Sequence, residues 1–215
     1  MLERLITITN SADFFKNGCL FIKEVVIRPR EDNNIKITLE LRMEDLVNDK
    51  EDQQLWEINC KDIIYNTSNK IHEPKRPWDR INVYQQHPVL WNYEKSNYVS
   101  IKGNCKNIPE LLGDLFIAHD KACGNWIDFH WLNHFLANSQ EDIDTTLEIP
   151  EHLIDTYFKV FEKHKLMYSI IEVHEKDNDL SVLIFGNPFI SPDDYSFGQP
   201  YIVAKGFEAK ELNGS

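Results

Sequence analysis

The chain has 215 residues, 42% of them hydrophobic and 12% aromatic, with only 8 Gly and 9 Pro. This excludes a collagen, a sustained coiled coil and a disordered chain, and no apolar run approaches the roughly 20 residues needed to span a bilayer. The net charge of -12 is uneven: residues 1–107 hold 16 Lys plus Arg against 16 Asp plus Glu, whereas residues 108–215 hold 7 against 19. A field of that sign repels phosphate backbones and anionic lipid and attracts basic surfaces.

Taken in chain order, Leu2 to Thr9, with Leu5, Ile6 and Ile8 among threonines, is expected to form an edge strand. Ser11 to Lys16 reads as a single helical turn before Gly18. Leu20 to Arg28 is rich in β-branched residues and stops at Pro29. Beyond a polar turn, Ile35, Ile37, Leu39 and Leu41 alternate with Lys36, Thr38, Glu40 and Arg42, which predicts an antiparallel hairpin with one wet face. Glu44 to Gln53 is expected to be a loop or short helix, and Leu55 to Ile64 resumes the alternation. After a Pro-containing loop (Asn66 to Arg80), Ile81 to Tyr84 and Tyr98 to Lys102 are further short strands.

The period then changes. Asn107 can cap a helix with Pro109 in its first turn, Leu112, Leu115, Phe116, His119 and Cys123 recur at helical spacing, and Gly124 is a natural stop. A second, buried helix is expected over Trp126 to Ala137, an acidic loop over Asn138 to Glu148, and a third helix after Pro150 with a stripe of Leu153, Ile154, Tyr157, Phe158 and Phe161. Leu166 to Val173 and Leu180 to Phe185 are read as a C-terminal β-hairpin, and Tyr201 to Ala204 as an added strand. The fold class is therefore α+β: a strand-rich region 1–107 built from hairpins, then about three helices and the hairpin in 108–215, all within a single domain spanning 1–215.

Cys19, Cys60, Cys105 and Cys123 form no CxxC pair, and Met1 to Asn10 lacks the apolar core of a secretory signal. They are accordingly expected to be reduced thiols in a cytoplasmic protein. Low Gly with high Asn, Lys and Ile suits an AT-rich bacterial or phage genome.

The most suggestive chemical cluster is His119, Cys123, His130 and His134. Each consecutive pair is spaced i, i+4, so each faces one way on its helix, and the four together are the nitrogen and sulfur ligands zinc prefers. Trp131 stands where an HExxH motif needs its general base, and Asp142-Ile143-Asp144 lacks the later Gly and Glu of a calcium loop. No nucleophile elbow or phosphate-binding glycine loop is present. Arg76, Trp78 and Arg80 lie in a basic stretch diluted by Glu73 and Asp79, and Trp78 reads as an anchor for that loop. His87 to Trp91 reads as core.

The charge layout thus predicts a non-enzymatic interaction protein that binds a basic protein, not nucleic acid or membrane. The expected contact residues are Asp128, Glu141, Asp142, Asp144, Glu148, Glu151 and Asp155. Small acidic toxin inhibitors, such as bacterial immunity proteins, share this profile of size and charge. No cofactor is expected under this reading. The competing reading is a metal-dependent hydrolase, with zinc held by the His/Cys cluster.

Overall fold

The computed structural model of the protein describes residues 1–28, 33–45, 50–67, 77–129, 132, 136, 142–176, 179–187 and 200–212. It is α+β, with antiparallel strands predominating. The residues group into two compact units: residues 1–86 with 179–215, and residues 87–178.

The first unit opens with two helices, α1 (Leu2–Thr9) and α2 (Ala12–Asn17). The edge strand expected over Leu2 to Thr9 is therefore a helix. Leu5 and Thr9, four residues apart, are both buried, and this helical spacing outweighs the β-branched content. The threonines are accommodated by bonding back to the preceding turn: Thr7 Oγ1 donates to the Glu3 carbonyl at 2.8 Å and Thr9 Oγ1 to that of Leu5 at 3.2 Å. Ser11 caps α2 by accepting from the Phe14 amide.

Among the described residues seven strands follow in this unit: β1 (Gly18–Arg28), β2 (Asn34–Asp45), β3 (Lys50–Asn66), β4 (Pro77–Trp78), β5 (Ile81–Tyr84), β9 (Ser181–Phe185) and β10 (Tyr201–Leu212). They form one antiparallel sheet in the order β4-β1-β2-β3-β10-β9-β5. The hairpin predicted from the alternation at Ile35 to Arg42 is present. It extends further than expected, because β2 and β3 stay in register from Ile35↔Cys60 out to Asp45↔Lys50. Glu44, Asp45 and Lys50 to Gln53 are thus strand, and residues 46–49 of that expected loop lie outside the described residues. Helix α1 packs on β10 and β5, and α2 on β1 and β2. The core between helices and sheet holds Leu5, Phe14, Leu39, Trp56, Ile58, Trp78 and Phe185. Trp78 is buried but belongs with Pro77 to β4, and Asn66 to β3, so the expected Asn66 to Arg80 loop is strand at these positions, and residues 68–76 of it lie outside the described residues.

The second unit contains β6 (Ser96–Asn104), α3 (Ile108–Cys123), β7 (Asp142–Pro150), α4 (Ile154–Lys163) and β8 (Met167–His174). The sheet order is β7-β6-β8, all antiparallel. The expected start of α3 holds: the Asn107 side chain accepts from the Glu110 amide, and Gly124 ends the helix at φ 55°. Val89 and Leu90 are buried, as the core reading of that segment requires.

Three expectations are corrected here. Asp142 to Glu148 is not loop but strand, because Ile143, Leu147 and Ile149 alternate with polar residues and fill the core of this unit. The helix placed over Trp126 to Ala137 does not include its first turn: Gly124–Trp126 is a 3₁₀ turn, Ile127 to Phe129 are non-helical, and helical positions appear at Leu132 and Leu136. The other residues from 130 to 141 lie outside the described ones. The two strands read as a C-terminal hairpin do not pair with each other. β8 joins β6, while β9 joins β10 and β5 in the other sheet.

Gly113 lies in the interior of α3, and a Cβ there would meet nothing within 4 Å. Glycine in an exposed helix interior costs backbone entropy with no compensating contact. Gly113→Ala is expected to stabilise the protein by about 0.5–1 kcal/mol, read as a higher urea midpoint at unchanged slope.

Candidate functional site

Of the His/Cys cluster, the structure brings His119 and Cys123 together, and His130 and His134 lie outside the described residues. The i, i+4 spacing on α3 puts the Cys123 sulfur 3.3 Å from Nε2 of His119. Both ring nitrogens are already engaged. Nε2 is 2.8 Å from the Ile127 carbonyl, which can only accept, so the proton resides on Nε2. Nδ1 is then the acceptor, and the Tyr157 hydroxyl donates to it at 2.7 Å. Cys123 donates in turn to the His119 carbonyl at 3.4 Å.

Electrostatics reinforces this protonation pattern. Burial holds the His119 pKa below its ordinary value, against the opposing pull of the Ile127 carbonyl, Asp120 and Asp128. Burial also pushes the Cys123 thiol up to about 12 and raises the Tyr157 phenol. All three groups are neutral at physiological pH and mutually satisfied. A metal needs a thiolate and an imidazole lone pair. Here the thiol keeps its proton and the imidazole lone pair is occupied by Tyr157, so the arrangement acts as a polar clasp joining α3, α4 and the segment after α3. Among the described residues no group of three His, Cys, Asp or Glu is placed to hold a metal ion. Tyr157 was legible in the sequence only as one member of an apolar stripe. The available signal was that a histidine on a core stripe requires a hydroxyl or carbonyl partner from a facing element.

The carboxylates sort differently. Asp142, Asp144 and Glu148 fall on one side of β7, opposite the buried Ile143, Leu147 and Ile149. Cross-strand neighbours on β6 meet them. Asn104 donates to Asp142 at 2.9 Å, Lys102 reaches Asp144 at 3.3 Å, and Ser96 donates to Glu148 at 2.7 Å. Lys176 also pairs with Glu148 at 2.7 Å, and it is the first among the groups that hold this carboxyl below its ordinary range. Glu148 is thereby structurally committed. Asp144 is open, with its side chain 75% exposed and that of Lys102 56% exposed. Glu151 is exposed and pairs with Lys95 at 3.6 Å. Asp155 is exposed in the first turn of α4, where the helix dipole favours a carboxylate. Asp128 is exposed after α3, and Glu141 lies outside the described residues.

The fold also redistributes the net charge. Residues 87–178 hold 8 Lys and no Arg against 15 Asp plus Glu, a net of -7, and the remainder of the chain carries -5. The difference of 12 charges between the halves of the sequence therefore shrinks to 2 between the units, because the lysines at 95, 102 and 106 belong with the second unit and the acidic C-terminal strands with the first.

The sequence matches no protein-family model and no curated protein. The functional reading consequently rests on the chemistry of these two places. The buried clasp offers no accessible reactive group, and the β7 face offers carboxylates in water.

Proposed function

We propose that the protein is a non-catalytic, cytoplasmic binding protein that engages a basic protein through the carboxylate-bearing face of β7. The observation that carries this reading is the alignment of Asp142, Asp144 and Glu148 on one face of an edge strand, with Lys102 paired to Asp144 in solvent. An exposed lysine–carboxylate pair contributes about 0–1 kcal/mol, so an incoming arginine can displace Lys102 at little cost. The -7 of this unit steers such a partner and disfavours nucleic acid and anionic lipid. The size and charge suit an inhibitor of the immunity type, which neutralises a cationic toxin by covering its positive surface.

The test uses Asp142 and Asp144, which are exposed, and spares Glu148, whose bonds to Ser96 and Lys176 serve the fold. The Asp142→Lys, Asp144→Lys double variant is expected to melt within about 2 °C of the parent, as surface substitutions do. It should bind a basic partner captured from the source-cell lysate about tenfold or more weakly, and raised salt should weaken the parent complex likewise. Quantitative binding of the captured protein to both forms decides the matter. Capture that is unchanged by the two reversals, or a partner that is acidic, overturns the proposal.

A further inference from the structure

The opposite edge of the same sheet has a different character. Among the described residues β8 pairs along one side only, with β6. Ile170 and Val173, each 47% exposed, share the face of β8 that the buried Val99 and Asn97 occupy on β6, with Ile171 at 59% beside them, while Met167 at 69% lies on the opposite face with Lys102. Ile170, Ile171 and Val173 together expose roughly 250 Å² of apolar surface along this strand, a size that matters here because it borders an open strand edge. Ile171 is the residue β8 gains at a bulge: Tyr98 faces Glu172 and Val99 faces Ile170, leaving Ile171 with no cross-strand neighbour. A strand edge of unpaired amides and carbonyls flanked by apolar side chains is a template for one more strand.

The charges at the two ends of β8 identify that strand. Lys163 and His164 are held by Asp114, and Lys176 by Glu148. Lys165, two residues before the strand begins, and Glu172 and Glu175 at its far end, make no ion pair among the described residues; all three are exposed. The edge is thus positive at one end, apolar in the middle and negative at the other. Its complement is the same sequence reversed.

We infer that β8 pairs antiparallel with β8 of a second copy about a two-fold axis, giving a continuous six-stranded sheet β7-β6-β8-β8-β6-β7. Such an interface is isologous, so each Lys165 meets the Glu172–Glu175 end of the other copy and the contact is made twice. A parallel pairing sets like charges side by side. The apolar contact of about 250 Å² per copy, or about 500 Å² over both copies, falls short of the ~1,200 Å² total of a stable interface, so the dimer is weak and forms with rising concentration. It does not depend on the partner proposed above, because it uses the other edge of the sheet.

Sedimentation velocity of the full chain, from about 5 µM to about 500 µM, tests this, since that range brackets the affinity of a small interface. The weight-average mass is expected to rise from 25.3 kDa toward twice that value. Ile171→Lys should hold it at 25.3 kDa throughout. Lys165→Glu and Glu175→Lys should each weaken association about tenfold, and the two together should restore it, as complementary charges across an interface do. The charge swap decides the question if Ile171→Lys fails to fold. A mass that stays monomeric at every concentration, growth beyond a dimer, or a swap that fails to restore association overturns the inference.

Discussion

Replacing Tyr157 by Phe is expected to cost about 2 kcal/mol, although only one oxygen is removed. The loss leaves Nδ1 of His119 buried without a donor, and the penalty for such an orphan is about 1–3 kcal/mol. His119 is nearly inaccessible and Tyr157 wholly so, and water cannot take the place of the hydroxyl without repacking Phe161 and Phe129 around it. His119→Leu alone strands the Tyr157 hydroxyl in the same way. The double variant, apolar on both sides, should cost less than the two singles summed, which urea unfolding monitored by circular dichroism measures directly. Strictly additive costs would show that the two groups do not act as a pair.

The same clasp sets a pH dependence. Burial keeps the folded His119 neutral, with its pKa depressed relative to the unfolded chain. Above about pH 6.5, the ordinary histidine value, both states are neutral and the full stability is present. As pH falls below it, the unfolded chain takes up a proton that the folded state refuses, and stability declines until the folded pKa is reached. The parent is therefore expected to lose stability as pH falls below about 6.5, and the His119→Leu, Tyr157→Phe double variant to lose less. An identical decline in both would assign the effect to other groups. The carboxylates held below their ordinary range, Glu40 beside Lys23 and Arg42 among them, act in a separate window below about pH 4.5, where the unfolded chain protonates first.

The larger single loss is expected from Trp56→Ala, about 3–5 kcal/mol. Among the described residues Trp56 is the largest fully buried side chain of the first unit, and it belongs to the core cluster that also holds Leu5 and Phe14 of the helices. Its ring also lies beneath the Arg4 guanidinium at 5.6 Å, and Arg4 pairs with Glu211 on β10 at 2.8 Å. The ring thus supports the seat of α1 on the sheet. Arg4→Ala should cost less than about 1 kcal/mol, since that side chain is more than half exposed and its ion pair is screened. Hydrogen exchange separates the two effects: amides of α1 should lose protection strongly in Trp56→Ala and slightly in Arg4→Ala. Equal effects would place the anchoring of α1 elsewhere, in Leu5.

The readable parts of the sequence were those where a single periodicity decided the outcome. The alternation Ile35 to Arg42 is a strand because only one face of it can be buried, and Asn107 with Gly124 bounds a helix because backbone capping is local. Leu2 to Thr9 misled because β-branched residues carry a strand preference that back-bonded threonines and the burial of Leu5 and Thr9 overrule. The Asp142 to Glu148 segment was hidden by its charge, although Ile143, Leu147 and Ile149 carry the same period of two.

By itself, then, the sequence determined the α+β class, the first hairpin, the capped helix α3 and the excess of carboxylates, since each follows from composition or from contacts within about a dozen residues. Tertiary structure alone decided that β8 and β9 part into different sheets, that Tyr157 occupies His119, that lysines 102 and 176 meet the acidic strand, and that Lys95 meets Glu151 just beyond it. Those outcomes depend on which distant surfaces come together to bury apolar area, and the identity of a residue carries no record of its partner forty positions away.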